Sequence, residues 1–119
     1  MGGRVSYLGE FEQVVLLAVV RLAADAYGTN IRREIAARGG RTVSIGAAYA
    51  TLDRLVDKGY LKSREPADRG GPARRYFTMT RAGIAALEHS RTLQARMWDG
   101  IDLHPAFAKA AANKPERKS

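Results

Sequence analysis

Between Leu8 and Ala24 apolar positions predominate and are unbroken from Val14 to Val20. Phe11, Val15, Ala18 and Leu22 form one stripe at helical spacing, and Val14, Leu16, Leu17, Val19, Val20 and Ala23 fill its flanks. The pattern predicts a first helix that is hydrophobic almost all round. Such a helix needs cover on more than one face, which points either to a partner subunit or to a central position inside a monomer. Its longest apolar run, Val14 to Val20, stops at Arg21, well short of the roughly 20 apolar residues that span a bilayer. Glu10 and Glu12 precede the run, which argues against a signal peptide, so the chain is expected to be soluble and cytoplasmic.

Asp25-Ala26-Tyr27-Gly28 interrupts the pattern. Thr29 is the expected cap of a second helix over about Asn30 to Ala37, with Ile31 and Ile35 inward, Arg32 and Arg33 outward, and Gly39-Gly40 as its stop. Thr42-Val43-Ser44 has room for a few extended residues. Ser44 then caps a third helix that runs to Lys58, with Gly59 in the terminating position. On this helix Ile45, Ala48, Leu52, Leu55 and Val56, with Tyr49 at their edge, have the spacing of a core stripe. Opposite lie Ser44, Ala47, Thr51, Arg54 and Lys58, flanked by Gly46 and Ala50. That outer face starts small and polar and becomes basic. It suits either close approach to a DNA groove or an ordinary solvated surface.

Period-two alternation follows. Residues 60–65 and 75–80 read as two antiparallel strands, joined by a turn that contains Arg69, Gly70, Gly71, Pro72 and Arg74. Thr80 is the expected cap of a fourth helix to about Asp99, carrying Ile84, Leu87, Leu93, Met97 and Trp98, with Arg91 and Gln94 interrupting the stripe. The expected organisation is therefore a short tail (1–7), a compact unit (8–80), a C-terminal helix (81–100) and a basic tail (101–119). The last of these is partly disordered, with a short helix at about Pro105 to Ala112.

A chain of 119 residues, 45% hydrophobic, suits one domain with a modest core. Its formal charge of +8 and pI near 10.3 exceed what solubility needs and favour an anionic partner, nucleic acid or an anionic membrane surface. With no cysteine, and only His89 and His104 as imidazoles, neither a disulfide, a metal site nor a cofactor is called for. Gly70-Gly71-Pro72 leads into a strand, so it is no phosphate loop, which requires a following helix. No serine sits in a nucleophile elbow. Asp53 and Asp57, four apart, neighbour Arg54 and Lys58 and read as a salt-bridged surface, so no catalytic residue and no enzyme activity is expected.

The order helix, helix, turn, helix, strand, basic hairpin, strand, helix is that of a winged helix-turn-helix, a mostly α (α+β) fold with a two-stranded wing. In such a fold the third helix can enter the major groove of double-stranded DNA while the hairpin can lay its arginines on phosphates or in the minor groove. Candidate DNA contacts are Ser44, Ala47, Thr51 and Arg54 on the third helix. Tyr27, Gly28, Thr29 and Arg32 are candidates where the second helix begins, since free N–H groups there favour a phosphate. On the wing they are Arg69, Arg74 and Arg75, with Gly70 and Gly71 making the turn. A protein-interaction module with an acidic partner and a non-specific nucleic-acid binder remain alternatives.

A particular set of motifs sharpens this reading. Leu17 with Tyr27-Gly28 and Ile31, Ser44-Ile45-Gly46-Ala47-Ala48-Tyr49 followed by Leu52-Asp53-Arg54-Leu55 and Lys58-Gly59, and Gly70-Gly71 with Arg74-Arg75-Tyr76-Phe77 and Thr78-Met79-Thr80-Arg81-Ala82-Gly83 resemble the PadR family of bacterial transcriptional regulators over about residues 8 to 88. The short C-terminal helix resembles the smaller PadR subgroup. The resemblance implies a ligand-responsive repressor that binds an inverted-repeat operator as a homodimer, paired through its first and last helices. Leu8, Phe11, Val15, Leu87, Leu93, Met97 and Trp98 are then the interface candidates. It also implies that Tyr49 faces DNA; the alternative is a ring at the core's edge. In some relatives aromatic residues of the last helix line a flat cavity between subunits, which makes Trp98 a candidate contact for a small aromatic or cationic effector, or else part of the packed interface. Where many members carry a proline near the start of the third helix, this chain has Ile45 and Gly46.

Overall fold

The computed structural model describes residues 7–65 and 74–105. Helix α1 (Glu10–Leu22) leads through a 3₁₀ turn (Ala23–Asp25) to α2 (Gly28–Gly39) and α3 (Ile45–Asp57); strands β1 (Leu61–Arg64) and β2 (Tyr76–Met79) form the wing, and α4 (Arg81–Trp98) follows. Residues 103–105 are helical as well, and the short helix expected at about Pro105 to Ala112 lies almost wholly outside the described residues. The fold is mostly helical with one two-stranded antiparallel sheet, a winged helix.

The element boundaries follow from local chemistry. Gly9 has no side chain to cap α1, so Glu12 reaches back and its Oε1 accepts from the Gly9 N–H at 2.9 Å. Helix α1 ends two residues before the expected Ala24, because Ala23 takes φ 51° and cannot continue the helix. Helix α2 begins at Gly28, ahead of the expected start. Thr29 lies inside it, and the N-cap position is taken by Tyr27, whose side chain makes no capping bond. Gly40, at φ 69°, closes α2 in the left-handed conformation. Ser44 caps α3 through Ala47 N and Thr80 caps α4 through Gly83 N, both at 3.0 Å, as the sequence predicts. No strand forms at Thr42 to Ser44, although Val43 is buried.

One core unites these elements. Leu16, Val15 and Val19 of α1, Ile31 and Ile35 of α2, Ala48, Leu52 and Leu55 of α3, Leu61 of β1 and Phe77 of β2 pack together and exclude solvent. Each fully buried Leu, Ile or Phe contributes about 1.5–3 kcal/mol through removal of apolar surface from water. In the wing, Leu61 pairs with Met79 and Ser63 with Phe77 on the inward side, while Arg64 opposes Tyr76 on the outward side.

Two further bonds fix the wing to the helices. Phe77 N donates to Ala26 O at 2.9 Å, and Tyr27 bridges Tyr76, so the entry to α2 continues the sheet by one rung. At the other end the Thr80 hydroxyl donates to Gly59 O at 2.6 Å, and a β-carbon on Gly83 would collide with the Tyr60 carbonyl. The end of α3, the wing and the start of α4 are therefore held as one body.

Candidate nucleic-acid interface

Helix α3 buries Ala48, Leu52 and Leu55 as the sequence pattern predicts, but Thr51 and Ile45 exchange places. Its buried stripe is Ala48, Thr51, Leu52 and Leu55; Thr51, expected on the outer face, is only 3% exposed, whereas Ile45, expected in the core, is 57% exposed. The exchange has a physical cause. The Thr51 hydroxyl accepts from Arg54 Nη2 at 3.2 Å, which satisfies it in its buried position, whereas Ile45 is the first residue of α3 and lies at the edge of the buried stripe. The face that remains open carries Ile45, Gly46, Ala47, Ala50 and Asp53. Four of these five side chains offer no hydrogen-bonding atom. The backbone of α3 can thus approach another surface closely.

Beside that face, the start of α2 and the base of the wing enclose a cavity of about 610 Å³ lined by Tyr27, Thr29, Arg33, Tyr49, Glu65, Arg74 and Arg75. Tyr49 is half-buried and lies over Gly28, where a β-carbon would overlap its phenol, with Cε2 at 2.9 Å. The ring thus packs at the core's edge and also lines the cavity. Tyr27 and Tyr76 meet with ring centroids 5.3 Å apart and planes tilted by 60°. Arginine stacks on this aromatic pair from two sides: Arg74 lies 4.3 Å from the Tyr27 centroid and Arg64 lies 5.1 Å from that of Tyr76. A hydrogen bond to Tyr76, with the electrostatic influence of Tyr27, raises the pKa of Arg74 and favours its charged form.

The two arginines at the start of β2 diverge, as strand alternation requires. Arg75 takes the inward side, lies 4.9 Å above the Phe77 ring and donates from Nη1 to Asp53 Oδ1 at 2.9 Å. Asp53 therefore pairs with the wing, not with its helical neighbours. Arg54 and Lys58 turn to α1, where Glu12 Oε2 accepts from Arg54 Nε at 3.2 Å and from Lys58 Nζ at 2.9 Å. Burial of Glu12 pushes its pKa up, but the bonds from Gly9 N, Lys58 and Arg54 outweigh it, and the net shift is downward. Arg54, expected on DNA, thus braces α3 against α1. Arg32, another expected contact, is half-buried and donates from Nε to Val43 O at 2.9 Å, which fixes the α2–α3 connection. Of the expected wing residues, Arg69, Gly70 and Gly71 lie outside the described residues.

Ser44 and Ala47 are exposed at the start of α3, and Thr29 is exposed at the start of α2. Arg33, Glu65 and Asp53 escaped the sequence reading of the site. Arg33 was within reach of it, since it follows Thr29 by four residues and so shares its helical face.

The sequence and the fold match known proteins. The family model for PadR-like transcriptional regulators matches residues 16–89. The chain belongs to the PadR-like family. It is accordingly a DNA-binding transcription regulator and not an enzyme. A PadR-family transcriptional regulator from Eggerthella lenta is 25% identical, with a TM-score of 0.62 and coverage of 76% of this chain and 81% of that one. A PadR-like transcription factor from Bacteroides fragilis is 22% identical at TM-score 0.64, over 75% of this chain and 84% of that one. A winged-helix DNA-binding protein from STIV shares 21% identity at TM-score 0.63, over 77% of this chain and 95% of that one. No curated protein matches the chain significantly.

In this PadR-like chain the first-helix interface candidates fall largely inside the protomer. Leu8 and Val15 belong to its own core and Phe11 packs against it, so Leu8 and Val15 present no free surface for a partner. The open side of α1 carries Leu17 and Val20 instead, 50% and 49% exposed. Together with Ile84 and Leu87 of α4 and Met79 of β2 they line a largely apolar groove of about 1050 Å³. Further along α4, Leu93, Met97 and Trp98 are exposed. Among the described residues no helix is long and apolar enough to cross a membrane.

Proposed function

We propose that this PadR-like regulator is a homodimeric, ligand-responsive repressor of the bacterial cytoplasm that binds an inverted-repeat operator. The observation that carries the DNA-contact half is the open face of Gly46, Ala47 and Ala50 beside the Tyr27–Tyr49–Arg74 cavity. Small side chains let α3 enter a major groove, and the cavity offers the cationic Arg33 and Arg74 to the flanking phosphates. Ser44, Ala47, Tyr49, Tyr27 and Thr29 form the contact surface together with Arg74, Arg75 and the hairpin residues Arg69, Gly70 and Gly71, whereas Gly28, buried beneath Tyr49, serves by seating that ring and touches no DNA.

Dimerisation is supported by the apolar groove between α1 and α4 and by the run of exposed Leu93, Met97 and Trp98 beyond it. A second copy's α4 has the apolar surface to cover Leu17, Val20 and Ile84, and Leu87 joins the same contact. Trp98 then lies where a small aromatic or cationic effector would meet the interface. The experiment is a gel-shift titration of the DNA upstream of the protein's own gene against excess random DNA, with sedimentation of the free protein in parallel. A dimer that retains the upstream fragment in the presence of competitor is the expected result. A monomer displaced equally by random DNA contradicts the proposal.

A further inference from the structure

The groove-facing side of α3 is chemically sparse, and its polar groups are acidic: Asp53 and, one turn on at the end of the helix, Asp57, of which Asp53 is the one paired with the wing. Gly46, Ala47 and Ala50 supply no side-chain donor or acceptor, and the Ser44 hydroxyl is engaged with Ala47 N at 3.0 Å. Arg54, one position beyond, is bonded to Glu12 and Thr51. Asp53 follows Gly46 by seven residues and Ala50 by three, so it shares their face, and its side chain is 57% exposed although it is paired with Arg75. A carboxylate on a DNA-facing helix is repelled by phosphates. Its presence there is tolerable only if its charge is screened and it finds a donor on a base edge.

Both conditions restrict what it can meet. Arg75, braced over Phe77, holds Oδ1 at 2.9 Å and screens the charge from the wing side. An ionised carboxylate accepts but cannot donate. In the major groove guanine presents acceptors at N7 and O6, thymine an acceptor at O4, and adenine a donor at N6 beside an acceptor at N7; cytosine presents the N4 amino donor. Resting on the reading of the chain as a sequence-specific operator binder, we propose that Asp53 selects a cytosine in each half-site by accepting from its N4 amino group. Arg75 is the positioning residue that orients the carboxylate. Asp53 also opposes binding wherever an acceptor faces it, which lowers affinity for the wrong sequences without any new attractive contact.

The test is selection from a random duplex pool by the full chain, run in parallel with wild type, Asp53→Asn and Asp53→Ala, followed by sequencing; thermal melts confirm that the exposed substitutions leave the fold intact. The wild-type motif is expected to contain one position per half-site where cytosine is favoured by about fivefold to tenfold. Asp53→Asn shifts that position toward adenine, which asparagine pairs through N6 and N7, and Asp53→Ala erases the preference, with the other positions unchanged. A motif that both variants leave unaltered overturns the assignment of Asp53, as does a uniform loss at every position, which would make the residue a wing support only. A wild-type pool with no shared motif overturns the underlying reading of sequence-specific binding instead.

Discussion

The phenol of Tyr49 lies against the α-carbon of Gly28, and a β-carbon at that position would overlap the ring. The contact joins the third helix to the start of the second at the edge of the cavity between Tyr27 and Arg74, so the glycine determines where the tyrosine sits. Gly28→Ala should therefore displace Tyr49, with a loss of about 1–3 kcal/mol in stability from overpacking and a larger proportional loss in DNA affinity. Chemical denaturation of the single variants and of Gly28→Ala/Tyr49→Ala tests this. The double variant should be less destabilised than the two single effects added together, since removal of the ring relieves the clash.

Glu12 links α1 to α3 through Arg54 and Lys58. Glu12→Gln should cost about 1–3 kcal/mol near neutral pH, moderated because Arg54 is half exposed and partly screened by solvent. The folded pKa of Glu12 is depressed below its ordinary 4.5. Its stabilising effect is thus fully present above that value and disappears as pH falls through the lower folded pKa. Denaturation as a function of pH should show the wild-type advantage over Glu12→Gln shrink below about pH 4.5. An advantage that stays constant into strong acid contradicts the assigned pairing.

The two sides of α1 should respond differently to charge. Leu17→Glu places a carboxylate on an exposed groove wall, so the protomer keeps its helical content while self-association weakens. Val15→Glu buries an unpaired carboxylate in the core and should unfold the chain. Sedimentation combined with circular dichroism separates the two outcomes.

Arg74 stacks on Tyr27 at the mouth of the cavity, with its charge favoured by Tyr76. Arg74→Ala should weaken binding to specific and random DNA alike and reduce the slope of log affinity against log salt by about one, the signature of a lost phosphate contact. A selective loss on the specific fragment, with the slope unchanged, speaks against a phosphate role.

Much of the fold was legible because its punctuation is local. Ser44 and Thr80 cap helices whose first free N–H groups they can reach, Gly40 and Gly59 take left-handed turns that β-carbons disfavour, and the alternation of 76–79 follows from the strand itself. Two positions of α3 were less legible. Periodicity alone cannot distinguish a threonine whose hydroxyl is satisfied by Arg54 from one facing solvent, nor tell that Ile45, the first residue of the helix, lies at the edge of the buried stripe. The carboxylate partners of Arg75, Arg54 and Lys58 were hidden for another reason: those bonds span separate elements, Arg75 to Asp53 and Arg54 and Lys58 to Glu12, whereas the sequence suggested that Asp53 pairs within its own helix. The tyrosine at 49 combined both of its alternatives, since one ring packs on Gly28 and lines the cavity.

The most direct test of the central claim is a hydroxyl-radical footprint of the full chain on the DNA upstream of its own gene. A two-fold symmetric regulator that inserts α3 into the major groove predicts two protected half-sites, centred about one helical turn apart or a multiple of it, on one face of the duplex. Protection spread evenly along the fragment, or a single asymmetric site, would contradict it.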